Sequence, residues 1–339
     1  MNMLSRACVN ALEDSGTPGA AMAVLETETD VERHTFGLLC KKGDASVRSS
    51  TLFQAASLSK PVTAWGVMKL VQTGRLYLED TVYEGLTVRH LLSHTGGLAP
   101  VHDLGIRPHE GGGDLLTDVR SAHPVGEFWY TNAGYSLLQI LIEKVSERSF
   151  ADYLYEEILE PLGMKHSSFN LGSDQLVDDA ARGHDYLGLQ VPVLWHSQQA
   201  AAGLYTTLDD LIRFAQANLN GGGGVLQPDM VALMHNRVER PIPYGLGYHI
   251  LTLPNSTRLI WHSGHNRGFR TWIGLVPKRQ KALVVLTNSD YGQSVIAEVV
   301  RNWLELMIDN VPDSAKQTLD LLPKTRYQRY QQDMSSLQR

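Results

Sequence analysis

Residues 53–66 read FQAASLSKPVTAWG. From here to Gly74 the apolar positions Val62, Trp65, Val67, Met68, Leu70 and Val71 recur with helical spacing. Pro61 falls in the first turn, where proline is tolerated, and Gly74 supplies a C-terminal stop. Ser57 opens this predicted helix and Lys60 follows one turn later. Residues three apart share a helix face, so the lysine can reach the serine hydroxyl. A serine hydroxyl is a weak nucleophile at neutral pH and needs such a base, together with donors for a developing oxyanion. Burial near the positive end of a helix dipole would lower the lysine pKa toward that use. Taken alone, S-x-x-K is a pair that a chain of 339 residues supplies by chance.

Outward from this stretch, the patterns change along the chain. Residues 3–15 read as a helix ending at Gly16, and AAMAVLE (20–26) and VERHTFGLLC (31–40) as two strands. LTVRHLLSH (86–94), NAGYSLLQILIEKVSE (132–147), FADYLYEEILEPLG (150–163) and TLDDLIRFAQANLN (207–220) are helical. The glycine runs at 111–113 and 221–224 lack a following G-K-[ST], so they read as flexible loops and not phosphate cradles. After residue 244 the period becomes two: YGLGYHIL, RLIWHSG, FRTWIGLVP and KALVVLTNS predict an antiparallel meander, with a last helix over roughly 292–309. The fold class expected is α+β, an antiparallel sheet flanked by helices. Residues 1–56 and 236–309 would form the sheet domain, 57–235 an inserted, mostly helical domain with Ser57 at the interface, and 310–339 a polar C-terminal tail.

Composition narrows the partners. With 43% hydrophobic and 19% charged residues the chain can bury a sizeable core, and a net charge of -6 without basic runs argues against nucleic acid. Cys8 and Cys40 are too few for a disulfide scaffold and read as reduced thiols. No basic-then-apolar leader opens the chain and no run reaches about 18 apolar residues, so a cytoplasmic protein without a membrane span is expected. Among thirteen histidines, His90 and His94 have i, i+4 spacing, but the glutamate of H-E-x-x-H is missing and no third ligand follows by spacing. Neither a metal nor another cofactor is expected. A small-molecule ester, amide or short peptide is the expected partner.

Two further motifs stand in order behind Ser57 and Lys60. Tyr130-Thr131-Asn132 precedes a long predicted helix, and His262-Ser263-Gly264 lies on a predicted strand. A second H-x-G, His94-Thr95-Gly96, follows a helix upstream and reads as structural. No G-x-S-x-G elbow occurs. With the surrounding text LFQAASLSKPVTAWGVMKLVQTGRLYLED, LTVRHLLSHTGGL, FWYTNAGYSLLQILIEKVS, AAAGLYTTLDDLIRFAQ, YGLGY and WHSGHNRGF, the chain resembles the serine beta-lactamase and penicillin-binding-protein superfamily over about residues 17–305. The likeness is to the class C-like branch, which also holds D-aminopeptidases, D,D-peptidases and family VIII esterases.

The resemblance implies a beta-lactamase/transpeptidase-like fold and an acyl-enzyme mechanism. Ser57 would be the acylated nucleophile, Lys60 its proton acceptor and Tyr130 a proton shuttle to the leaving group. Asn132 would bind the substrate carbonyl and hold Lys60. His262, Ser263 and Gly264 would line the site on an edge strand, and the backbone amides of Ser57 and His265 would form the oxyanion hole. Two departures bear on substrate. His262 stands where class C beta-lactamases carry lysine, which weakens the hold on a substrate carboxylate. The connection between LYLEDTVYEG and LTVRHLL is short, leaving the cleft more open. Arg267 and, less so, Arg270 could supply a positive charge by bidentate pairing. Trp129, Tyr205, Trp261 and Trp272 are pocket candidates or core. The expectation is a serine hydrolase of small esters or amides. The alternatives are a D-amino-acid peptidase, D,D-peptidase or weak beta-lactamase, an acyltransferase, and a ligand-binding relative without turnover.

Overall fold

The first helix, α1 (Met3–Ser15), is capped by the Asn2 side chain, which accepts from the Ser5 amide, and stops where Gly16 turns left-handed at φ 67°. The hairpin β1 (Gly19–Leu25) and β2 (Val31–Gly37) follows as expected. The computed structural model describes residues 2–27, 29–100, 119–170, 179–192, 196–239, 241–308 and 310–321. The glycine run at 111–113 and the tail beyond 321 lie outside the described residues.

A short strand β3 (Phe53–Gln54) leads into α2 (Ser59–Gln72), then β4 (Thr81–Tyr83), β5 (Leu86–Thr87) and α3 (Val88–Leu92). The helices α4 (Ala133–Ser146), α5 (Phe150–Leu154) and α6 (Gln199–Ala202), the strand β6 (Tyr205–Thr206), and α7 (Leu208–Leu219) and α8 (Pro228–Met234) complete the middle of the chain. The strands β7 (His249–Thr252), β8 (Arg258–Asn266), β9 (Phe269–Val276) and β10 (Lys281–Thr287) form the meander, followed by α9 (Gly292–Glu305) and α10 (Asp313–Thr318). No helix among the described residues is long and apolar enough to cross a membrane.

Six strands pair antiparallel in the order β2-β1-β10-β9-β8-β7, so the N-terminal hairpin docks on the C-terminal meander through β1 and β10. β1 is buried at every position because the sheet is covered on both faces. Its alternate residues go to different cores. Ala21, Ala23 and Leu25, with Val284 and Leu286 of β10, face the core shared with α2, α4 and α7, while Met22, Val24, Leu283 and Val285 face α1 and α9. Each fully buried Val or Leu there contributes about 1.5–3 kcal/mol relative to exposure. Ala315, Leu319 and Leu321 close the second core, so the first part of the polar tail is packed.

Three expectations need correction. β8 is not the edge strand, because β7 pairs outside it. β7 nevertheless carries the ladder no further than the His249–Trp261 pair, and the stretch His262–Asn266 runs on past it toward the turn that bears Ser57. Nor does Ser57 open the helix: Ala56–Leu58 form a 3-10 turn and α2 begins at Ser59. The stretch 150–163 is also broken, passing from α5 into a π-helical turn over Tyr155–Leu159.

Candidate active site

The Ser57 turn is pinned from several sides. Ala56, just before the serine, adopts a left-handed φ of 51°, a conformation that costs a non-glycine residue about 1–2 kcal/mol. Its surroundings hold it there. Ser59 Oγ donates to the Ala56 carbonyl at 2.6 Å and accepts from the Leu204 amide at 2.9 Å. The Ala55 amide donates to the Leu204 carbonyl at 2.8 Å, and Thr271 Oγ1 on β9 donates to the Ala55 carbonyl at 2.8 Å. Gly264 lets β8 approach: a Cβ there would come within 2.4 Å of the Ala55 oxygen and 2.1 Å of Thr271 Oγ1. Gly264→Ala is therefore expected to push the strand off the turn, lowering stability by about 1–3 kcal/mol and any reaction at Ser57 by about tenfold or more. Thermal melts and an ester assay check this, and wild-type activity in the variant would show that the close approach is dispensable.

Lys60 is completely buried in the first turn of α2. Its Nζ lies 3.0 Å from Ser57 Oγ, 2.8 Å from Asn132 Oδ1 and 2.9 Å from the Ala201 carbonyl. Burial lowers its pKa to about 7. In the neutral amine two N–H bonds satisfy Asn132 and Ala201, and the lone pair is left for the Ser57 proton. The Ala201 carbonyl comes from α6, which is held against α2 by Thr63 Oγ1 donating to the Ala200 carbonyl at 2.9 Å. Asn132 is the N-cap of α4, yet its side chain makes no cap bond. Thr131 Oγ1 accepts from the Ala133 amide instead, at 3.2 Å, which frees the asparagine for Lys60.

The Tyr130 hydroxyl lies beside Ser57, and the ring centroid stands 5.0 Å from Lys60 Nζ. Desolvation of the hydroxyl pushes its pKa up, so it is a neutral phenol at pH 7. Ser57, Lys60, Tyr130 and Asn132 thus converge, as the resemblance implies. Gly264 reaches the same place, while Ser263 is partly exposed on β8 and its carbonyl accepts from His262 Nδ1 at 2.8 Å.

His262 is only 1% exposed, and both ring nitrogens are engaged: Nδ1–H on the Ser263 carbonyl and Nε2 against the Tyr244 hydroxyl at 3.0 Å. Burial, with His249 and Lys60 nearby, holds its pKa well below the usual imidazole range. It stands in the lysine position without the charge. His249 is likewise pushed down to about 3, mainly by burial and then by Lys60. His265, whose amide was expected in the oxyanion hole, is exposed at the end of β8 beside that turn.

The arginines are committed elsewhere. Arg267 is 60% exposed in its side chain and pairs with Asp185 at 3.2 Å, and Arg270 is buried against Asp290 at 2.8 Å. Of the aromatic candidates, Trp272 packs against Trp303 in the α1/α9 core, Trp261 stacks on His249 at 4.4 Å, and Tyr205 receives a bond from Gln54 Nε2 at 2.8 Å. Trp129 is exposed and stacks on His123 at 3.6 Å. His90 caps α3 through Thr87. Sequence reasoning missed the Ala201 carbonyl, Tyr244 and His249, and it set His94 aside. The YGLGYH and HTG runs were visible, but nothing local to them signals that they fold beneath Tyr130.

Residues 4–305 match the family model described as Beta-lactamase. Penicillin-binding protein 4* of Bacillus subtilis is 27% identical, over 87% of this chain and 75% of that protein. Protein flp of Staphylococcus aureus is also 27% identical over 82% of this chain, which spans 61% of its length. Among solved structures, the octameric penicillin-binding protein homologue from Pyrococcus abyssi superposes with a TM-score of 0.76 at 26% identity, covering 91% of this chain and 77% of that one. A class C beta-lactamase superposes with a TM-score of 0.75 at 22% identity, covering 88% and 94%. The fold is the beta-lactamase/transpeptidase-like one expected.

Proposed function

Because this chain belongs to the beta-lactamase family, whose members include serine hydrolases, we propose that it hydrolyses small neutral esters or amides through an acyl-enzyme at Ser57. The observation that carries this reading is the buried, deprotonatable Lys60 within 3.0 Å of the Ser57 hydroxyl. Neutral Lys60 takes the Ser57 proton as Oγ attacks the carbonyl carbon, and the oxyanion is held by the amides of Ser57 and His265. Tyr130 gives its proton to the departing oxygen or nitrogen and regains one from the Lys60 ammonium. Water then attacks the acyl-serine by the reverse relay.

Preference for a neutral substrate follows from His262, which is buried and uncharged, and from Arg267, which already pairs with Asp185. A substrate carboxylate would meet little fixed positive charge there, so peptides ending in a free carboxylate, and beta-lactams, are the poorer substrates. The test compares p-nitrophenyl acetate, nitrocefin and a D-alanyl p-nitroanilide, with intact mass read for an adduct on Ser57. The ester is expected to turn over with kcat/KM about 100-fold or more above nitrocefin. A reversed ranking would favour the penicillin-binding or beta-lactamase reading, and no turnover with no adduct on any of the three would leave a binding protein.

A further inference from the structure

His94 follows α3 in a left-handed conformation, φ 58°, and is only 2% exposed. Its carbonyl accepts from the Trp129 amide at 2.8 Å, and its Nδ1 accepts from the Thr131 amide at 3.3 Å. Both neighbours of Tyr130 are therefore tied to one histidine. That ring also packs on the Tyr130 ring itself, 4.3 Å between centroids. The next residue continues the clamp, since the Thr95 carbonyl accepts from the Gly126 amide at 2.8 Å. A glycine at position 94 would adopt this φ without strain, but it would lack the acceptor nitrogen.

We propose that His94 is a positioning residue for the reaction, holding the Tyr130 hydroxyl on Ser57 by bracketing the Y-x-N turn from both sides. The inference rests on the reading of Tyr130 as proton donor to the leaving group. The required form of the ring follows from its partner. Thr131 presents an N–H, so Nδ1 must carry a lone pair and the proton must sit on Nε2. Nε2 has no hydrogen-bond partner among the described residues, and the ring lies 5.3 Å from that of Tyr135 and 4.9 Å from that of Tyr244. Burial, and next the nearby Lys60, keep the imidazole in this neutral state. Fixing the two flanking amides removes most of the freedom by which the phenol could swing away from Ser57.

Leaving-group dependence separates this role from a merely structural one. p-Nitrophenolate departs without a proton, whereas an alkoxide must receive one. Both esters leave the same butyryl-enzyme, so kcat/KM, which reports acylation, is the readout: His94→Leu is expected to lower it about 100-fold on ethyl butyrate and by less than about fivefold on p-nitrophenyl butyrate. His94→Asn, whose Oδ1 can take the place of Nδ1, should stay within about fivefold of wild type on both esters, whereas His94→Gln, with its acceptor displaced, should behave as the leucine variant does. Thermal melts confirm that the variants fold. Tyr130→Phe is the reference and should show the same split. If it does and neither His94→Leu nor His94→Gln does, or if His94→Asn loses as much as they do, the positioning role is overturned while the reading of Tyr130 stands. If Tyr130→Phe loses both esters equally, the donor role fails, and the proposal for His94 fails with it.

Discussion

Ser57→Ala is expected to remove at least about 10³-fold of the kcat/KM for p-nitrophenyl acetate, because no other group can form the acyl-enzyme once the hydroxyl is gone. The intact-mass adduct formed by a slowly deacylating substrate should disappear with it. Stability should hardly move. The hydroxyl contributes contacts to Lys60 and Tyr130, while the turn around it is held by Ser59, Leu204 and Thr271. A variant that folds and retains activity within about tenfold of wild type would place the nucleophile elsewhere, and the site with it.

The second large effect is one of pH, and it reads on both rate and stability. In the proposed mechanism the active form of Lys60 is the amine, so kcat/KM should climb about tenfold per pH unit below a pKa near 7 and level off above it. His262, His249 and His94 are held neutral by burial and by Lys60, and they add no second step in that window. A profile still rising at pH 10 would mean a lysine of ordinary basicity. The stability effect has a definite sign. Unfolded Lys60 returns to an ordinary pKa of about 10.4, whereas folded Lys60 has already lost its proton above about 7. Between those values the unfolded chain binds one more proton, so folding stability rises with pH in this window by about 1.4 kcal/mol per unit and is flat in this term below it. Measured against Lys60→Met, which lacks the group, the wild type should gain about 2–3 kcal/mol in unfolding free energy between pH 7.5 and 9.5. An unchanged difference between the two proteins would contradict a neutral buried amine. Lys60→Met should be inactive at both pH values.

These effects show why burial matters more here than residue type. Lys60 and His262 are both titratable in sequence. The tertiary structure makes one a base near pH 7 and the other a neutral ring locked between a carbonyl and a phenol. Arg267 makes the same point in reverse: a guanidinium near the strand motif is available to a substrate only if nothing else claims it, and Asp185 does.

By itself the sequence determined what depends on near neighbours in the chain. The alternation in RLIWHSG, FRTWIGLVP and KALVVLTNS specified β8, β9 and β10, and the three-residue spacing of Ser57 and Lys60 put amine and hydroxyl within reach. That Tyr130 and Asn132 join them, Asn132 from 72 residues beyond Lys60, was implied only by the resemblance to a known family. Tertiary structure alone decided what depends on distant ones. The Ala201 carbonyl reaches Lys60 from 141 residues away, His94 reaches Thr131 from 37, and β7, not β8, becomes the edge of the sheet. The physical reason is common to all of these. Periodicity and spacing record which face a residue presents, whereas partners, burial and therefore protonation are set by segments that meet only when the two cores close around the sheet.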